Sequence, residues 1–238
     1  MTDGERRLLI RRMKGLPGDA GVRLPVRDED MREIGFLKAF DRADLDDRAL
    51  IETMAEARTR FKEFFLTQFD ATPENKRAWL ETSVLGNDGK VLFLVETLEG
   101  VVVGQDGFTV LEDGSFELDG TMRWARGGHM RLFEMIGIEK ARICFGLLDL
   151  SLCRIELFKK NAMAAYIVRK GGFAFEKEYS LSVSHDGGKV IYTRTDAESA
   201  NTDEKLWTFS MDREGFERLH GKLTGLAGKF WGSTHWKG

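Results

Sequence analysis

The sequence predicts an α+β fold, a mixed α/β chain whose sheet is flanked by helices. Three observations predict it. Two segments read as hairpins, Lys90–Gly107 and Phe175–Thr195, and hairpins make antiparallel pairs. Between them, Ser115–Phe173 reads as strand, glycine turn, helix, strand and second helix, which carries the chain across the sheet. Apolar residues make up 42% of the 238, with 17 Phe and 5 Trp, enough for a sizeable core.

In chain order, residues 1–21 form an arm carrying Arg6, Arg7, Arg11, Arg12 and Lys14 among a few aliphatics. It is expected to dock on the domain or on a neighbouring subunit. Val22–Arg27 reads as a strand, and Asp28-Glu-Asp30 as the start of a helix reaching Phe40. Asp47–Leu66 is the clearest helix of the first half, with Ile51, Met54, Phe61 and Phe65 as its apolar stripe. Thr72-Pro73 supplies an N-cap and a first-turn proline for a helix to about Leu80. Lys90–Glu96 reads as a strand buried on both faces, paired with Val101–Gly107. A long helix is expected from Met130 to about Gly146, then a strand at Cys153–Phe158 and a helix from Asn161. Phe175–Ser184 and Lys189–Thr195 form the second hairpin. Residues 22–195 are thus read as the main domain and 196–238 as an extension that packs on it or on a second subunit. That extension holds an added strand at Leu206-Trp-Thr-Phe209, a helix capped by Asp212, and Phe230, Trp231 and Trp236.

Composition narrows the function. With 36 basic and 39 acidic residues the net charge is −3, not the basic excess that nonspecific nucleic-acid binding requires. No apolar run reaches 18 residues, so no membrane span is expected. The charged Glu5–Lys14 segment is not a secretory signal. Cys144 and Cys153 read as free buried thiols, which points to a cytoplasmic protein. The four histidines and two cysteines have no metal-ligand spacing, so no metal is expected.

Chemistry concentrates at Ser115–Phe173. Along Ser115–Trp124, Glu117, Asp119, Thr121 and Arg123 alternate with Phe116, Leu118, Gly120 and Met122, so the first four are expected on one face, lining one cleft. Arg126-Gly127-Gly128-His129 follows, with Met130 and Arg131 opening a helix. Two small residues at a helix start leave N–H groups free for an anion, and Arg123, Arg126 and Arg131 would add charge-assisted contacts to a phosphate.

This run resembles the GCN5-related N-acetyltransferases, the GNAT superfamily, from about Val22 to Ser184. The more specific part is Asn161, Ala164, Lys170, Gly172 and Phe173, at the offsets of the family's N-x-x-A-x-x-x-Y-x-K-x-G-F. The resemblance implies a twisted, mostly antiparallel sheet and an acyl-CoA co-substrate, acetyl or short-chain. It implies a pantetheine arm along Met122–Trp124, with a main-chain N–H there as oxyanion donor, and pyrophosphate at Arg126–Arg131. Two departures stand out. Arg123–His129 lacks the family's Q/R-x-x-G-x-G/A spacing, and Val168 occupies the offset of its usual tyrosine acid. Tyr166 lies two residues earlier, about 200° around a helix.

Asn161 is either an N-cap or a CoA contact, and His129 either a phosphate contact or a helix cap. A weaker likeness of Ala55–Arg58 and Thr72–Leu80 to GNAT members acting on nucleotide-linked amino sugars implies acceptor contacts for Arg58 and Trp79. A surface ion pair and a core aromatic are the alternatives. Asp119 is expected as general base and Glu117 as orienting carboxylate, with the roles exchangeable. The expected function is transfer of an acyl group from acyl-CoA to a small-molecule primary amine, with a nucleotide-linked amino sugar leading. A peptide or protein amine, or a non-catalytic acyl-CoA-binding protein, is the alternative, and a homodimer is compatible.

Overall fold

The computed structural model describes residues 1–16 and 18–221. The expectations for Phe230, Trp231 and Trp236 concern residues outside these. Six α-helices are α1 (Asp3–Met13), α2 (Arg48–Arg60), α3 (Pro73–Trp79), α4 (Leu132–Arg142), α5 (Ala162–Lys170) and α6 (Arg213–His220). Ten strands are β1 (Arg23–Arg27), β2 (Glu33–Ala39), β3 (Thr67–Gln68), β4 (Lys90–Glu96), β5 (Val102–Val110), β6 (Phe116–Arg123), β7 (Leu152–Phe158), β8 (Ala174–Asp186), β9 (Lys189–Thr195) and β10 (Lys205–Asp212). They form one sheet in the order β1-β2-β4-β5-β6-β7-β10-β8-β9-β3. Every pair is antiparallel except β6 and β7, which run parallel.

The helices begin where side chains can satisfy their first N–H groups. Asp47 accepts from Leu50 N at 3.0 Å, and Thr72 from Asn75 N at 3.2 Å with Pro73 in the first turn. Asn161 and Asp212 cap α5 and α6 in the same way. Both α3 and α4 run on through a wider π-type turn, at Leu80–Leu85 and Ile143–Leu147. On one face of the sheet the main core joins Ile10 and Met13 of α1, Val91, Phe93 and Val95 of β4, α4, and Phe216 of α6. On the other, Leu92 and Leu94 of the same strand meet Phe40, Met54 of α2 and Leu80. β4 is therefore buried on both sides, as its unbroken apolar run predicts.

The residue 1–21 arm docks on the domain through Ile10 and Met13. The Lys14 ammonium, lying under the sheet, donates to the carbonyls of Val84, Leu85 and Asn87 at 2.9, 3.2 and 2.7 Å.

Two expectations change. Asp28–Phe40 is not a helix: Asp28 closes a turn by accepting from Arg32 N at 2.9 Å, and Glu33–Ala39 is strand β2. The alternating burial of Leu37 and Ala39 against Phe36 and Lys38 outweighs the acidic cap signal. The helix expected from Met130 starts at Leu132. The strand expected at Leu206–Phe209 is present, as part of the longer β10. Strand β10 lies inside the sheet, with Phe209 opposite Ile155 of β7 on one side and Phe175 of β8 on the other.

Candidate active site

The parallel pair β6–β7 holds for only two positions, Phe116 opposite Cys153 and Glu117 opposite Arg154. Beyond them the two strands splay. A cleft of about 870 Å³ occupies the gap, within the range of small-molecule sites. Its walls are Glu117–Arg123 of β6, Ile155–Phe158 of β7, and Asn161, Ala164 and Ile167 at α5. Its far end is built by Arg58, Lys76, Trp79 and Lys90 with Phe61, Phe64, Phe65 and Phe69. The Phe-rich loop is tied to the sheet by β3, whose Thr67 pairs with Ile191 of β9.

The alternation expected along β6 breaks in the middle. Asp119 faces Gly107 and Met122 faces Gln105, so Gly120 and Thr121 together oppose the single residue Asp106. This is a β-bulge, and Gly120 takes the φ of +74° that it requires. Glu117 and Asp119 keep the cleft face, but past the bulge that face passes to Met122. Thr121 instead donates to Asp106 Oδ1 at 2.6 Å, on the α4 side. Arg123 lies 5.2 Å from the Phe133 ring centroid and donates to the carbonyls of Ala125 and Gly127 at 3.2 and 2.9 Å. The four polar side chains therefore do not share one cleft face, and Arg123 braces the turn from behind. Beneath the bulge, buried Lys140 of α4 is ion-paired to Asp106 and donates to Gly107 O at 2.8 Å. Gln105 Nε2 holds Gly120 O at 3.0 Å, while its Oε1 is buried without a partner.

The two carboxylates differ. Asp119 Oδ2 accepts from Lys90 Nζ at 2.6 Å and from Thr109 Oγ1 at 3.1 Å. Glu117 has no hydrogen bond to a described residue. Burial first, and then the Asp119 charge, raise its pKa above the ordinary carboxylate value.

At the turn, the backbone N–H groups of Arg126, Gly127, Gly128, His129 and Met130 have no acceptor among the described residues. Gly127 and Gly128 adopt φ of +127° and +69°. Arg126 is exposed and unpaired among the described residues. Arg131 is not available in the same way, because its guanidinium is ion-paired to Glu29 and Glu134. His129 Nδ1 accepts from Arg131 N at 3.3 Å, the helix-cap alternative. Trp124 packs with the α2–α3 core, and its N–H is taken by Val103 O at 3.0 Å, so it is not an oxyanion donor.

Asn161 caps α5 and also lines the cleft. Val168 packs against Leu157 and Phe209. Tyr166 is 63% exposed and sits in a shallow groove with Arg169 and Trp207, not in the cleft. The side that α5 turns to the cleft, at Met163, Ala164 and Ile167, has no hydroxyl.

Trp79 packs with the α2–α3 core, the core-aromatic alternative, and also forms part of the cleft wall. Arg58 is half-buried and donates through Nη2 to Thr67 O at 2.5 Å. Sequence reasoning missed Lys76, Lys90 and Gln105. Lys76 had a signal, since it stands three residues before Trp79 on the same helix face. Among the described residues no group of three or more His, Cys, Asp and Glu could hold a metal, and no helix is long and apolar enough to cross a membrane.

No family model matches the sequence, and no curated protein matches it. Solved structures do match. An acetyltransferase of the GNAT family from Bacillus anthracis aligns with a TM-score of 0.58 at 12% identity, over 81% of this chain and 99% of its own. FdhC, a nucleotide-linked sugar GNAT, aligns at 0.57 and 11%, over 83% and 94%. The spermidine N-acetyltransferase of Vibrio cholerae, in complex with CoA and spermine, aligns at 0.52 and 15%, over 76% and 96%. At these identities the likeness is one of fold. The chain has the GNAT acetyltransferase fold, a mostly antiparallel sheet with flanking helices.

Proposed function

We propose that this chain is an acyl-CoA-dependent N-acyltransferase acting on a small-molecule primary amine. One observation carries the reading: β6 and β7 part after two paired positions, opening a cleft lined by β6 as far as Arg123, and the chain then runs directly into a turn of N–H groups unpaired among the described residues. Such groups suit a pyrophosphate, and the cleft suits an extended pantetheine arm ending near Glu117.

A bound acyl-CoA supplies the thioester carbon that the amine attacks, and the C–S bond breaks as the amide forms. Glu117 takes the proton lost by the amine, directly or through a water, and its raised pKa matches it to that work better than an ordinary carboxylate. Asp119, held by Lys90 and Thr109, orients the amine and keeps the Glu117 pKa high. This is the exchanged assignment of the two carboxylates. With α5 presenting no hydroxyl, the thiolate collects its proton from water or the ammonium. For the acceptor, the cationic far end of the cleft favours a nucleotide-linked amino sugar over a polyamine, since Arg58, Lys76 and Lys90 would repel a polycation.

Acetyl-CoA at a hundredfold its Kd should stabilise the fold by about 2.7 kcal/mol, on the order of 5–10 °C in Tm for a chain of this size. Thiol release from several acyl-CoAs over a panel of amines then identifies the acceptor. A flat Tm with millimolar acyl-CoA of every chain length tried would overturn the reading.

A further inference from the structure

We propose that Lys76 and Arg58 form an anion-binding subsite at the far end of the cleft, so that the accepted amine carries a phosphate or carboxylate away from its reacting nitrogen. The words "accepted amine" rest on the acyltransferase reading; the subsite rests on the side chains themselves.

Among the described residues three lysines are buried: Lys14, Lys76 and Lys140. Lys14 donates to three carbonyls, and Lys140 to Asp106 and Gly107 O. Lys76 is 5% exposed, and its side chain makes neither a hydrogen bond nor an ion pair with any described residue. Its ammonium lies 4.4 Å from the centroid of the Trp79 ring and in the cleft wall. Buried charges are ordinarily paired, so three unused N–H donors aimed into a cavity mark a missing partner.

Arg58 repeats the pattern from α2. Its guanidinium stacks 3.8 Å from the Phe65 ring centroid and 4.9 Å from that of Phe69. Nη2 is spent on Thr67 O, but Nη1 is buried without a partner.

The surroundings fix the sign of the ligand. The charges that act on Lys76 come from Arg58 and from Lys90 of β4, both cations. Asp119, a carboxylate of the same cleft, is already bound to Lys90. Burial, with those two cations, lowers the Lys76 pKa to about 7. The site is therefore short of one anion.

Its position sets the acceptor's shape. The Lys90 ammonium is 5.8 Å from the same Trp79 ring centroid, so the subsite and the Lys90–Asp119 pair lie against one indole. An acceptor reaching both has its acidic group near the amine, with the Trp79 ring beside it.

The test uses the full chain saturated with CoA, which fills the phosphate turn, and calorimetry with two probes. Sulfate is a tetrahedral dianion of constant charge from pH 6 to 9, and acetate is a carboxylate. At pH 6 one of them should bind, and which one distinguishes a phosphate from a carboxylate as the natural group. Lys76→Met and Arg58→Met should each weaken that binding at least tenfold with CoA affinity unchanged. Wild-type affinity should fall by up to tenfold per pH unit above pH 7 as the Lys76 proton is lost, and Lys76→Arg should remove that dependence. In anion-free buffer Lys76→Met should melt higher than wild type, whereas a purely structural lysine would melt lower. The proposal is overturned if neither probe binds at tens of millimolar, or if Lys76→Met binds as tightly as wild type. If CoA itself does not bind, the acyltransferase reading fails alone, and the same titration without CoA still decides the subsite.

Discussion

Glu117 and Asp119 stand two residues apart on one strand face, yet only one is free to take a proton. Glu117→Gln should lower kcat by 10²–10⁴ with acyl-CoA affinity retained. The same variant makes a stability prediction whose sign follows from the raised pKa. A carboxyl that holds its proton more tightly folded than unfolded favours folding only at low pH, and that contribution is lost as pH rises through the folded pKa. Glu117→Gln should therefore match wild type below the ordinary carboxylate range and melt higher at pH 8, as scanning calorimetry at the two pH values would check. Asp119→Asn should keep most of kcat but move the rising limb of the pH–rate profile to lower pH. The Asp119 charge that raises Glu117 would be gone, and Lys90 would be left to lower it. A tenfold loss of kcat at every pH would return the base to Asp119. The pair was legible in the sequence because period two puts both on one face. Their inequality was not, since it depends on Lys90, 29 residues away across β5.

At the scale of the element, the bulge of β6 decides what the cleft contains. An alternating pattern is readable only while the register holds, and the one hint of a slip in Asp119-Gly-Thr-Met122 is the glycine inside a strand pattern. The expectation for Thr121 and Arg123 failed there, as did the strand β2, where an acidic turn imitated a helix cap. Helices α2, α3 and α5 were legible because Asp47, Thr72-Pro73 and Asn161 are local signals. The bulge is pinned from below by the buried Lys140–Asp106 pair and by Thr121. Lys140→Met would leave Asp106 buried and unpaired, at a cost of about 3–5 kcal/mol. Adding Asp106→Asn should recover part of it, a non-additivity that urea unfolding of the four proteins in the cycle would measure.

Across the whole molecule, the order β7-β10-β8 departs most from a reading in chain order. Local patterns find β10 as a strand but cannot say that it returns to the interior of the sheet, because its partners lie some 50 and 30 residues back. A chain cut after Thr195, at the boundary the sequence suggests, should not fold. It loses the strand that buries Leu157 and Phe158 of β7 and supplies Phe209 to the core beside α5. Circular dichroism and gel filtration of that fragment would check this; a monomeric fragment with native Tm would contradict it. The same arrangement sets a timetable for the nascent chain. Every residue that lines the cleft except Leu206 precedes β10 in the chain, but the wall that β7 gives the cleft has no neighbour on its outer edge until β10 is made. Of the described strands, the last to be translated is therefore the one that completes the cleft.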